Sequence, residues 1–300
     1  MPAEPFSTAP TVPDQLIYCS SSDYKPNPPN LRVARIKNQR CVGFFYLDGA
    51  QFAVNYEGNA IWAEWPEGYT LEDACTYLMG PVLAFALRLR GTTCLHASAI
   101  AFGDQSILLL GVPGAGKSTT AAAFARLGYP VISDDVAALV DLRDRFLVQP
   151  GYPRVNLWPD SVRALFGSED ALPRITPTWD KRYLALDRDG YRFQSGSLPV
   201  SGIYLLDERE AGLNGPVIEE LTGQEAFITL VANTYVNYLL DRDMRAREFD
   251  VIQRLLTSVA LRRVRSTADG FDVAALCECI RADARQFAAP PSSQTAFETR

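Results

Sequence analysis

The run Gly111-Val112-Pro113-Gly114-Ala115-Gly116-Lys117-Ser118 fits the pattern G-x-x-x-x-G-K-[ST]. A polyphosphate needs backbone N–H groups aimed at it from several sides, and glycines let a loop wrap that closely. A helix that begins where the loop ends adds its own first N–H groups and the positive end of its dipole. The pattern assigns the cradle to residues Gly111 to Thr119, a mobile charge for the β- and γ-phosphates to Lys117, and a hydroxyl for Mg2+ to Ser118. The chemistry expected is binding of ATP with Mg2+. Lysine occurs only at Lys25, Lys37, Lys117 and Lys181, which makes its presence at the motif position informative.

Asp134 and Asp135 close the next apolar run, Tyr129 to Ser133. Adjacent carboxylates repel unless a cation or a proton is at hand, and a nucleotide–metal site gives them a use. Asp134 is expected as the base that accepts a proton from an attacking hydroxyl, and Asp135 as the metal partner. The plain alternative is a helix cap or a solvated turn. His96, the single histidine, starts the strand before the loop. If that strand pairs with Ser106 to Leu110, His96 falls at the loop's end of the sheet, where it binds phosphate, steers a proton or is a satisfied core residue. Lys181, in Asp180-Lys181-Arg182, and Arg154 are candidate second cations for the phosphates. Trp158 and Trp179 read as packing residues rather than acceptor contacts.

These residues need elements to hold them. Residues 1–30 are rich in Pro and Ser and are expected to be loose. Residues 31–92 read as a β-rich region plus a helix: a strand at Val33 to Ile36, then a hairpin around Asp48-Gly49. The helix runs from Leu71 to Arg90, kinked near Gly80-Pro81 and stopped by Gly91. Residues 93–215 read as the P-loop core. In it Cys94 to Phe102 is one strand, Ser106 to Leu110 a second, Thr119 to Leu127 a helix, and Ile203 to Asp207 the last buried strand. Residues 216–287 read as helical. Thr222-Gly-Gln-Glu225 fits a capping box for a helix reaching Leu240. Phe249, Ile252, Leu255, Leu256 and Val259 recur at helical spacing, as do Val273, Leu276, Cys277 and Ile280. Cys277 is therefore expected as a buried thiol. Residues 288–300 read as a free tail.

The chain has 300 residues, 47% hydrophobic, so a large core is within reach. Net charge is −6, which argues against a nucleic-acid partner. The six cysteines show neither CxxC nor a zinc spacing, and reduced thiols fit best. The start lacks the basic and apolar blocks of a signal peptide, and the run Tyr77 to Leu87 is too short for a bilayer span. A cytoplasmic location with no membrane partner is expected.

Taken together, the residues from Leu95-His96 through the P-loop to Leu127-Gly128-Tyr129-Pro130-Val131-Ile132-Ser133-Asp134-Asp135 resemble the HPr kinase/phosphorylase family. The similarity extends to short HPr-kinase-like proteins, including those of lasso-peptide biosynthesis, through Leu95-His96-Ala97-Ser98 and Arg154-Val-Asn-Leu157-Trp158-Pro159-Asp160-Ser161. Ala97 stands where full HPr kinases carry Gly, the later glycine-rich signature is missing, and the first 90 residues differ from their regulatory domain. The resemblance implies an α/β (α+β) fold of the HPr kinase C-terminal domain and phosphoenolpyruvate carboxykinase type. It implies that His96, Asp134 and Asp135 act with Lys117 and Ser118 on ATP and Mg2+, and that the acceptor is a serine of a peptide or protein. A small-molecule kinase and an ATP-binding regulatory module are the other readings, and homo-oligomerisation is left open. Replacing Lys117 by Ala should weaken nucleotide binding by an order of magnitude or more, since a charge-assisted contact is lost. Titration calorimetry with ATP checks this, and unchanged affinity counts against the loop.

Overall fold

A computed structural model describes residues 30–36, 39–268 and 272–287. The expected loose N-terminal segment and free tail, and Cys19 with them, fall outside these residues but for Asn30. The chain opens with an antiparallel meander: β1 (Asn30–Ile36), β2 (Gln39–Phe45), β3 (Gln51–Asn55) and β4 (Ile61–Glu64). The expected Asp48-Gly49 turn joins β2 to β3. Gly49 takes φ +92°, and Asp48 Oδ1 accepts the Ala50 N–H at 3.0 Å.

Helix α1 (Leu71–Tyr77) starts at a capping box in which Thr70 and Asp73 satisfy each other's N–H. The chain then kinks at Gly80 (φ −103°, ψ −108°), just before Pro81, and continues as α2 (Leu83–Leu89). Gly91 at φ +82° ends it. Phe44, Phe52 and Val54 of the meander pack on Tyr77, Val82 and Phe85 of these helices.

The rest of the chain builds one large sheet. In order come β5 (Thr93–His96), β6 (Ser98–Phe102), β7 (Gln105–Leu110), α3 (Lys117–Arg126), β8 (Val131–Ser133), β9 (Val136–Asp141) and β10 (Phe146–Val148). They are followed by β11 (Arg154–Leu157), α4 (Pro159–Phe166), β12 (Arg182–Ala185), β13 (Leu198–Leu206) and β14 (Val217–Glu220). Helices α5 (Gly223–Ala232) and α6 (Arg242–Ser258), strand β15 (Ala260–Arg265) and helix α7 (Val273–Ala284) complete the chain.

The main sheet runs β5-β9-β10-β13-β7-β6-β8, with β15 added on β13 and β14 on β15. β13 pairs in parallel with β7 and with β15, and antiparallel with β10. β11 and β12 form a separate ribbon. Side chains alternate along β7 as a two-sided strand requires. Ile107 and Leu109 join the core under α3, α4 and α7, while Leu108 and Leu110 join the core under α5 and α6.

Three expectations change. The run Cys94 to Phe102 is two strands: β5 pairs with β9 and β6 with β7 and β8, so the chain changes partners at the buried Ala97. The C-terminal part is not all helix, and Ile203 to Asp207 is not the last strand. β15 follows it, with arginines paired to acids such as Glu219, Glu225 and Asp283, so its sequence lacks the look of a buried strand. The expected capping box at Thr222 does not form, because Glu225 is drawn to Arg263, and α5 ends at Ala232 rather than Leu240. Cys277 lies fully buried, as expected, on the face of α7 that meets α3, and burial pushes its thiol up to about 12.

Arg88 of α2 and Glu248 of α6 form an ion pair with side chains only 3% and 7% exposed. Removing one partner of a buried pair strands the other charge. Arg88→Met should cost about 3–5 kcal/mol in urea unfolding, and Arg88→Met with Glu248→Leu should recover most of it.

Candidate functional site

β7 runs into the loop at Gly111, whose φ is +147°. A Cβ there would sit 2.6 Å from the Leu206 carbonyl oxygen of the parallel neighbour β13, so only glycine fits. Gly114 and Gly116 also hold left-handed torsions, +87° and +100°, and a Cβ on either would meet nothing within 4 Å. They serve the path of the loop rather than packing. No side chain caps the first turn of α3, since Gly116 is its N-cap. The first N–H groups of that helix are thus left for an anion. Val112 and Pro113 form the exposed crest, and the Ala115 N–H is taken by the Val112 carbonyl at 3.0 Å.

Lys117 is buried and folds back under the loop. Its Nζ donates to the Gly111 and Val112 carbonyls at 2.7 and 3.3 Å. Burial lowers its pKa, opposed by Asp135 and Asp134. Thr119 turns its hydroxyl to Ser161 of α4 at 2.8 Å, leaving its backbone N–H for the cradle.

The two aspartates lie where β8 gives way to β9, opposite the point where β5 gives way to β6. Asp134 is buried and its oxygens are engaged by three donors. Oδ1 accepts from Ser98 Oγ at 2.7 Å and Ser118 Oγ at 2.9 Å, and Oδ2 from the Asn156 N–H at 3.1 Å. Burial raises its pKa, and the hydrogen bonds work against that rise.

Asp135 differs in one torsion. Its φ of +73° is left-handed, unusual for a residue with a side chain. This turns the carboxylate, 39% exposed, toward His96 Nε2 at 3.4 Å and the Tyr235 hydroxyl, which donates to Oδ2 at 3.0 Å. The His96 ring stacks on Tyr235 with centroids 5.1 Å apart. Burial lowers the His96 pKa, although Asp135 pulls it upward.

The two carboxylates therefore differ in surroundings: Asp134 is buried and tied to Ser118, while Asp135 is part-exposed beside His96 and Tyr235. A cavity lined by Ser118, Asp134, Asp135, Arg154, Trp179 and Lys181 brings together five of the expected site residues with Trp179, while His96, Lys117 and the loop glycines lie outside its lining. Lys181 Nζ lies 4.9 Å from the centre of the Trp158 ring, so Trp158, 41% exposed, supports a cation instead of the core. Trp179 packs against Tyr77, as its reading predicted. The donor set fits a nucleotide with Mg2+: uncapped amides, one hydroxyl beside one carboxylate, and flanking cations. Mg2+ is commonly held by one or two carboxylates and the substrate's phosphates.

Four residues near the site had no functional reading. Asn233, just after α5, accepts the Gly111 N–H on Oδ1 at 3.2 Å, and its backbone oxygen accepts the His96 N–H at 2.8 Å. Tyr235 follows in the same segment, which bridges to β5 through Leu95 and Thr234. Ser98 and Asn156 lie inside the two short runs that carried the family resemblance, so a signal for them was present. For Asn233 and Tyr235 there was none.

Among solved structures the chain is similar to the Hpr(Ser) kinase/phosphatase from Coxiella burnetii. The identity is 11% and the TM-score 0.35, over 64% of this chain and 91% of that one. No family model matches the sequence, and no curated protein matches it. By its own elements the chain is a mixed α/β protein with a β-rich N-terminus and C-terminal helices. Among the described residues no helix is long and apolar enough to cross a membrane.

The lowered pKa of His96 links it to stability. A histidine held below its unfolded value of about 6.5 stabilises the fold above that pH, and the contribution is lost as the pH falls through it. His96→Asn should therefore flatten the drop in Tm between about pH 7 and pH 5, measured by thermal unfolding. An unchanged slope would mean that His96 takes its proton freely.

Proposed function

We propose that the chain is an ATP-dependent kinase that transfers the γ-phosphate to a serine hydroxyl of a peptide or protein. The observation that carries this reading is the division of labour between the paired aspartates: Asp134 anchors Ser118, while Asp135 faces the cavity with His96 and Tyr235 behind it. A protein that only bound nucleotide would need the first arrangement and not the second. The motif resemblance to the HPr kinase/phosphorylase family supports the same reaction class.

On this reading each group of the site has a role. The amides of Gly114 and of Gly116 to Thr119 hold the phosphates, and Lys117 leaves its two carbonyl partners to meet them. Ser118 and Asp134 would hold Mg2+, which neutralises phosphate charge when bound. Lys181 adds a cation from the opposite wall of the cavity. Asp135 accepts the serine proton as the serine oxygen bonds to the γ-phosphorus and the bond to the β-phosphate oxygen breaks, releasing ADP. His96 and Tyr235 keep the Asp135 carboxylate aimed. Positioning and charge neutralisation are the larger part of such catalysis, because the transferred group needs no covalent help from the protein.

Asp135→Asn should lower phosphoryl transfer about 100- to 10,000-fold while ATP affinity holds. Asp134→Asn should weaken binding of ATP with Mg2+ as well, through loss of the seat for Ser118. Transfer of radiolabelled phosphate to serine peptides and calorimetric titration measure the two effects. The opposite pattern would return the base to Asp134.

A further inference from the structure

Arg154 lines both the cavity that holds Asp135 and a second, larger groove beside it. We propose that this groove is the acceptor subsite, holding an extended peptide segment that carries a carboxylate close to the serine being phosphorylated. The proposal rests on the kinase reading above and adds the acceptor's chemistry to it.

The groove, of about 380 Å³, lies between α1 with the kink that follows it and the β11–β12 ribbon, and Leu71, Met79 and Tyr183 are among its walls. Cys75, Tyr152 and Arg154 line both this groove and the cavity that holds Asp135, so the two adjoin. The size is in the range of a drug-sized ligand and well beyond a free serine. Leu71, 58% exposed, gives the rim an apolar surface suited to a flanking side chain. The α1 wall is anchored to the active site: Asp73 accepts from Thr178, and Tyr77 packs edge-on against Trp179, both in the loop that carries Lys181.

The groove carries the carboxylates Glu72 and Asp187 and the cations Arg154 and Arg188, and Arg188 is already paired with Asp187 at 3.3 Å. Arg154 is different. Its guanidinium lies over the Tyr152 ring at 4.8 Å and near the Tyr183 ring at 5.9 Å, and its Nε is buried with no hydrogen-bond partner. Among the described residues no carboxylate pairs with it. The planar fork of arginine matches a carboxylate, and two aromatic faces hold it in one orientation. Lys117 and Lys181 already serve the phosphates. Arg154 is the cation shared by both spaces, at the boundary where the acceptor hydroxyl must enter. The matching carboxylate belongs either to an Asp or Glu beside the serine or to a peptide C-terminus.

The test uses the full chain, ATP with Mg2+ and a library of serine peptides. One flanking position at a time is Asp, Asn, Leu or Lys, and each peptide carries a free or an amidated C-terminus. Expected is at least about tenfold higher kcat/KM when a carboxylate lies within two residues of the serine. Loss of the preference on amidation identifies the C-terminus, and loss on exchange of Asp for Asn identifies a side chain. Arg154→Met should erase the preference and leave ATP affinity unmoved, while Leu71→Arg on the rim should raise KM for every peptide with little change in kcat. Indiscriminate phosphorylation, a preference that survives Arg154→Met, or a fall in ATP affinity in that variant would overturn the subsite and leave the kinase standing. Transfer to free serine but to no peptide would remove both the peptide acceptor and the subsite, and transfer to neither would remove the kinase itself.

Discussion

The buried Asp134 carboxylate and its three donors hold the rest of the site in place. A carboxylate taken out of water is tolerated only when its lone pairs are met. Here the donors come from three separate elements: Ser98 at the start of β6, Ser118 at the start of α3, and the Asn156 amide in β11. One side chain therefore sets the distance between helix α3, the sheet and the ribbon that carries Arg154. The same anchoring leaves Asp134 little freedom for chemistry of its own. Its neighbour is spared that duty by a single left-handed torsion.

The sheet explains why these groups meet at one place. β5 and β6 follow each other in the chain, as do β8 and β9, yet the members of each pair lie far apart in the strand order. The chain crosses between distant parts of the sheet twice, once at Ala97 and once at Asp134-Asp135. At both crossings the backbone leaves one ladder before joining the next. His96 and Ser98 flank the first crossing, and the aspartates form the second. The acidic pair and the histidine are thus neighbours because the sheet changes hands there, which no local pattern records.

Much of this was legible in the residues themselves. The loop glycines could be read because their spacing encodes torsions and close approaches that other residues do not tolerate, as Gly111 beside Leu206 illustrates. The Asp48-Gly49 turn and the Gly80-Pro81 kink were readable for the same reason. What escaped was set by distant partners. β15 hides its two inward residues, Leu261 and Val264, among arginines that find acids only in the folded chain. Thr222 to Glu225 had the letters of a capping box, but Arg263 claimed the glutamate. Asp134 and Asp135 are chemically identical, so their different surroundings follow from backbone torsion and could not be read from the letters. Asn233 and Tyr235 reach the site only through the bridge of their segment to β5.

The posture of Lys117 bears on selectivity. Its ammonium is satisfied by two carbonyls of the very loop it serves. Any incoming anion must compete with those dipoles, so its net gain is a difference between two sets of ion–dipole contacts. A lone monovalent anion gains little from such an exchange. A chain of phosphates, engaging the helix amides and the ammonium together, gains at several points at once. A loop that holds phosphates as proposed would discriminate by the number of linked charges, with its own lysine as the internal rival.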